Sequence, residues 1–204
     1  MSSKSIIFEK IKTALGDSNK APLPEYEDSI LHSPPKLEGD DLWKIFSRNF
    51  TAVSGIPMVS PADLVEFLKQ ENASVGYCDP VLMDSVGNHL TAAGITVETT
   101  YDRTRYDDYQ FGITRAAGAI AESGSIILND ETTSDRLAAL APWIHIAVLE
   151  CPSNISRTIP DAIAAFGDSP NIIWATGPSK TADVEGILIE GVHGPGKQIL
   201  LKLK

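Results

Sequence analysis

Cysteine is nearly absent: only Cys78 and Cys151 occur in 204 residues. Two thiols cannot form a disulfide framework, and they fall short of the four thiolates that usually hold an iron–sulfur cluster. Positive charge is sparse too. Seventeen Lys and Arg face 27 Asp and Glu, for a formal net charge of −10, and the basic residues never gather into a patch, which argues against a nucleic-acid partner. Long apolar runs are missing: nothing approaches the roughly 20 residues that span a bilayer, and Ile6-Ile7-Phe8 meets Glu9 and Lys10 too soon for a secretory segment. A cytoplasmic protein with no membrane span is expected. Histidine is rare and dispersed, with His32, His89, His145 and His193 lacking helical-spacing partners, so no metal site is expected.

What remains is an ordinary globular composition, 43% apolar and 22% charged, long enough for one large α/β domain with an appendage. Ile6, Ile7, Ile11, Ala14 and Leu15 fall at helical spacing, and Gly16 stops the helix, giving an N-terminal helix over 1–16. Residues 17–41 carry Pro22, Pro24, Pro34 and Pro35 and read as a Pro-rich linker. The α/β domain then runs over 42–204. Its first helix buries Leu42, Trp43, Phe46 and Phe50. Strand signals at Pro57–Val59, Val75–Cys78 and Ile95–Val97 alternate with helices over 62–70 and 81–92, which Ser60-Pro61 and Asp79-Pro80 cap. That alternation predicts a mostly parallel sheet flanked by helices. Tyr101–Tyr109 reads as a surface loop, the small-residue run 116–121 as a tightly packed helix, Ile144–Val148 as a strand, 160–166 as a helix, and Ile172–Trp174 as a buried strand.

Familiar signatures fail on inspection. Gly177-Pro178-Ser179-Lys180-Thr181 lacks the Gly before Lys that a phosphate loop needs, and Thr181 stands where a nucleophile elbow needs its second Gly. Cys78 and Cys151 have no activating base and read as inert. Two constellations remain. In the first, Thr114 precedes the turn Glu122-Ser123-Gly124-Ser125, which offers a carboxylate, two hydroxyls and backbone N–H groups; it suits a ligand turn with Glu122 as base or nucleophile, and equally a strand entry with locally satisfied serines. In the second, Gly177, Ser179, Lys180, Thr181 and Asp183 could receive an anion, or form a solvated crossover, while His193 and Gly194 stand at a further Gly-rich corner where His193 suits either a proton acceptor or a packed histidine. Gly-rich corners at strand ends are where α/β sheets hold ligands, so the two stretches are expected to meet over a shared hollow at the sheet's carboxyl edge.

Four segments carry a resemblance: Gly112–Leu128 (GITRAAGAIAESGSIIL), His145–Val148 (HIAV), Gly177–Glu185 (GPSKTADVE) and Gly191–Pro195 (GVHGP). In order and spacing they resemble the lactate utilization protein C family, the LUD domain also called LutC/YkgG. After Gly194-Pro195 the pattern leads one to expect a larger polar or basic residue, where this chain has Gly196. The resemblance implies a fold similar to the sugar-isomerase and CoA-transferase-like (NagB/RpiA/CoA transferase) group. It further implies a subunit that works with iron–sulfur partner proteins to oxidise L-lactate to pyruvate, a small anionic substrate, with no cofactor on this chain. In that reading Glu122 and His193 are the candidate catalytic residues, and Thr114, Ser123, Gly124, Ser125, Gly177, Ser179, Lys180, Thr181, Asp183 and Gly194 bind substrate. The alternatives are a stand-alone isomerase or acyl-transfer enzyme acting on a phosphorylated or thioester substrate, and a non-catalytic assembly module working through its N-terminal helix.

Overall fold

The computed structural model describes residues 3–16, 34–182 and 188–204. They belong to two units, 1–32 and 33–204. In the first unit, helix α1 (Ser3–Leu15) buries none of its residues, and Ile6, Ile7, Phe8, Ile11 and Leu15 are all exposed.

The second unit opens with a 3₁₀ turn over Pro34–Leu37 and helix α2 (Leu42–Ala52). The Asp41 side chain accepts from the N–H groups of Trp43 and Lys44 to start α2. Phe46 and Phe50, four apart and stacked on each other, are fully buried. The segment before α2 is held down: Arg157 donates to the carbonyls of Leu37 and Gly39, and Asn49 donates to the carbonyl of Lys36.

Six strands form the central sheet: β1 (Ile56–Met58), β2 (Val75–Cys78), β3 (Thr96–Glu98), β4 (Phe111–Arg115), β7 (Ile144–Leu149) and β12 (Lys197–Lys202). Their order is β1-β12-β7-β4-β2-β3, and every pair is parallel. The period of two sorts the side chains. Ile144, Ile146 and Val148 of β7 face one core with Ile113, Ile199, Leu201 and the helices α3 (Pro61–Gln70) and α4 (Asn88–Ala92). Ala147 and Leu149 face the other, with Leu200, α2 and α5 (Arg136–Leu140). A second, four-stranded sheet covers that other face in the order β8-β5-β6-β9, built from β5 (Gly118–Ile120), β6 (Ser125–Asn129), β8 (Ile155–Ser156) and β9 (Ile172–Ala175). Helix α6 (Ile159–Phe166) packs on it through Ala162. A hairpin of β10 (Lys180–Ala182) and β11 (Leu188–Glu190) completes the described elements.

The α/β class and mostly parallel sheet are as the alternation predicts, while three local expectations are corrected. Residues 116–121 are not a helix: Gly118–Ile120 is β5, and the N–H groups of Ala117 and Ala121 donate to Ile127 and Ser156. Small side chains there serve close strand packing, since a Cβ on Gly118 would lie 2.7 Å from the carbonyl oxygen of Asn154. The helix expected over 81–92 is a 3₁₀ turn (Pro80–Leu82), a π turn (Met83–Gly87) and then α4. Ile172–Trp174 is a strand, but it lies at the edge of the second sheet with Trp174 39% exposed rather than buried.

Candidate functional site

A row of polar side chains crosses the central sheet on the face toward the second sheet. His145 sits opposite Gly112 of β4 and Gln198 of β12, with Thr114 diagonal to it. All three polar residues are buried. Gln198 Nε2 lies 2.7 Å from His145 Nδ1, and Thr114 Oγ1 lies 2.9 Å from His145 Nε2. An amide nitrogen only donates, so Nδ1 accepts and the ring proton sits on Nε2, donated to Thr114. Burial pushes the His145 pKa down to about 4, and a donor held against Nδ1 likewise favours the neutral ring. The ring is therefore a neutral, fully satisfied wall.

That wall backs a cavity of about 210 Å³. Its other polar lining comes from Ser179 and His193, and its remainder from Gly177, Gly194, Pro195 and apolar side chains of β6, β9 and α5. Backbone bonds fix the corner: Ser179 N–H donates to the carbonyl of Pro195, and Gly191 N–H to that of Ser179, both at 2.8 Å. Gly177 has φ +77°, and a Cβ there would lie 2.2 Å from the carbonyl oxygen of Val53, so only glycine lets the segment turn against α2. The ring of Trp143 occupies the space a Cβ of Gly196 would need, at 2.3 Å, which is why glycine replaces the larger residue expected there.

The expected site residues divide into groups. Gly177, Ser179, His193 and Gly194 meet at the cavity, and Thr114 reaches it through His145. Ser123, Gly124 and Ser125 do not line it, but they are joined to it: Ser123 Oγ and Ser125 Oγ are 2.7 Å apart, and Ser125 Oγ is 2.7 Å from Thr176 Oγ1, beside Gly177. Gly124 has φ +64° and lies where a Cβ would be 2.5 Å from the backbone nitrogen of Phe50. Glu122 is buried away from the cavity, its Oε2 accepting from the N–H of Ile159 at the start of α6, where the helix dipole favours a carboxylate. Lys180 turns to the end of α2, its Nζ 2.9 Å from Ser54 Oγ and 3.4 Å from Glu190 Oε1. Thr181 pairs with Ile189 in the hairpin. Asp183 lies outside the described residues.

One geometric expectation is overturned. The His193 corner immediately precedes β12, and His145 and Gln198 are the second residues of their strands, so this cavity opens at the amino edge of the parallel sheet, not the carboxyl edge. The corner leads into a strand rather than out of one. Sequence reading also passed over His145 and Gln198 as partners. The detectable signal was a polar residue directly before the apolar run of each strand, HIAVL in β7 and QILL in β12.

The LUD domain family model matches residues 83–201, more than half of the chain and all of the cavity's lining. The chain belongs to the LUD domain family. Among its relatives is lactate utilization protein C of Deinococcus radiodurans, 36% identical over 88 residues that make up 41% of each chain. The protein of that name in Bacillus subtilis is 37% identical over 93 residues, 42% of this chain and 39% of that one. That of Shouchella clausii is 30% identical over 122 residues, 55% and 53% of the two chains. The matched LUD segment thus spans about half or less of these curated relatives. A crystal structure of a DUF162 family protein from Deinococcus radiodurans shares the fold, with a TM-score of 0.55 at 19% identity over 84% of this chain and 99% of that one. Among the described residues no helix of this LUD protein is long and apolar enough to cross a membrane.

Proposed function

We propose that this LUD protein takes part in lactate utilization as a subunit of an assembly that oxidises L-lactate to pyruvate, with its partners carrying the iron–sulfur clusters. The observation that carries this reading is the coincidence of the family match with the cavity, since the matched segments supply Ser179, His193, His145 and Gln198 to one hollow. At about 210 Å³ the hollow is smaller than the roughly 300–1,000 Å³ of pockets for drug-sized ligands, which suits a three-carbon acid. Its apolar walls suit the substrate's methyl end. Ser179 and nearby backbone N–H groups would orient the carboxylate, a role that Lys180 does not fill because its ammonium is engaged at α2. His193 would accept the hydroxyl proton, while His145 holds its own ring proton against Thr114.

The chain's own thiols do not suit a cluster. Cys78 is buried, and burial raises its pKa to about 12, so it stays a thiol; Cys151 is exposed and lies 3.0 Å from Ser153 Oγ. Oxidation therefore needs an electron acceptor outside this chain. The test is deletion of this gene alone in its host, followed by growth on L-lactate and lactate-dependent pyruvate formation in extracts. Loss of both, restored by the wild-type gene and not by His193→Ala, is the expected result; undiminished lactate use in the deletion strain removes the proposal. Turnover of sugar phosphates or CoA esters by the isolated chain would favour a stand-alone enzyme instead.

A further inference from the structure

The carboxyl edge of the central sheet holds a second arrangement that the cavity does not use. In the order β4-β2-β3 the chain leaves β2 toward β3 on one side, while β4 lies on the other. The connection from β2 to β3 passes through α4, which packs on the core of Ile113 and Ile146. The connection from β4 to β7 includes α5, whose Ala138 and Ala139 pack on the opposite face. Connections on opposite faces leave a crevice at the carboxyl ends of β2 and β4, the topological switch point where open α/β sheets bind ligands. The residues at that point are Asp79, directly after β2, and Arg115, the last residue of β4.

We propose that Arg115 anchors a binding site for a small carboxylate anion in this crevice. Asp79 is 1% exposed and its two carboxylate oxygens are both committed: Oδ1 accepts from the N–H of Val81, and Oδ2 from Arg115 Nε at 3.0 Å. A buried carboxylate held at both oxygens sets the plane of the guanidinium. Only Nε is used, so among the described residues the two terminal nitrogens have no partner, and 27% of the side chain remains accessible. Two parallel N–H donors on a fixed plane match the two oxygens of a carboxylate, which a lysine ammonium cannot reproduce. The backbone is fixed as well, because Thr133 Oγ1 donates to the carbonyl of Arg115. The helical stretch that leaves the crevice carries the π turn Met83–Gly87, a distortion that recurs at functional sites. Because Asp79 neutralises the guanidinium, recognition rests on donor geometry more than on net charge, and affinity is expected on the order of millimolar. This site stands independently of the lactate reading and lies at the opposite sheet edge from the His193 cavity.

The test is a titration of the full-length chain, labelled with ¹⁵N-arginine, by NMR of the Arg115 Nε–H signal. Pyruvate, acetate and inorganic phosphate are the probes. The expected result is a saturable shift of that signal with pyruvate and acetate at millimolar concentration, with phosphate weaker. No saturable shift with either carboxylate overturns the proposal, and tighter binding of phosphate overturns the carboxylate class. Arg115→Lys is expected to weaken pyruvate binding at least about tenfold, read by calorimetry, because the planar fork is lost while the charge stays; a smaller loss overturns the proposal. Removing Arg115 alone strands a buried carboxylate and endangers folding. The double variant Asp79→Asn/Arg115→Gln avoids that, and a folded double variant that still binds pyruvate as the wild type does would equally overturn it.

Discussion

The two edges of the central sheet place polarity by opposite means. At the amino edge, His145 and Gln198 are buried as neutral groups in a hydrogen-bond row that Thr114 closes from further along the sheet, and the open space lies in front of them. At the carboxyl edge, a buried Asp79 pairs with a partly exposed Arg115, and the open valence lies on the guanidinium itself. A neutral row needs only that each donor meet an acceptor, whereas an ion pair must also recover the desolvation of two charges. The difference teaches that the amino edge is a shaped container and the carboxyl edge an electrostatic fixture, and each tolerates different changes.

The largest effect separating them is expected at the ion pair. Arg115→Ala leaves the buried Asp79 side chain without its ion-pair partner, and urea unfolding should show a loss of about 3–5 kcal/mol; a loss under about 1 kcal/mol would mean that the edges are energetically alike. Next comes acid. Burial lowers the folded-state pKa of His145 from 6.5 to about 4, so the unfolded chain takes up a proton that the folded chain refuses. Stability is expected to fall as pH drops from about 6.5 to about 4, by about 3 kcal/mol at the limit from this group. NMR titration of the His145 ring checks this directly, and a midpoint near 6.5 would break the contrast. A third probe acts on backbone: Gly177→Ala, with φ +77° and the Val53 carbonyl in its way, should cost about 2 kcal/mol by thermal melting. The smallest stability effect is expected at His193, which is exposed; His193→Ala should leave stability within about 0.5 kcal/mol while failing to restore growth on lactate, a split between stability and function that a merely packed histidine would not give.

Much of the fold was legible because periodicity reports burial. The apolar run Ile144–Val148 became a parallel strand flanked on both sides, and Ser60 and Asp79 cap helical segments as their positions suggest. The second sheet was legible only at Ile172–Trp174, read as a strand though not as an edge one. Its strand β5, Gly118–Ile120, begins with Gly and Ala, whose small side chains suit helix and close-packed strand alike, and the pairings of β5 to β8 and of β6 to β9 are long-range. The candidate site was half legible. Glycines mark sharp corners in any sequence, so Gly177 and Gly194 pointed to the right loops. Which edge those loops occupy depends on whether a corner enters or leaves a parallel strand, and that is set by a strand order that no local pattern encodes. Arg115 was passed over because a lone charge at a strand end looks solvated until its buried partner, 36 residues away, is in view.

Trp143 carries a consequence of its own. Its indole lies against Gly191 and Gly196, on the segment that bears His193, while 49% of the residue remains open to water. A fluorophore half wetted and half pressed on a loop changes its emission when that loop shifts. With Trp43 and Trp174 replaced by Phe, the chain would keep a single native dye against the segment that bears His193, so that occupancy by a colourless small acid could be followed by light alone, without label or coupled assay.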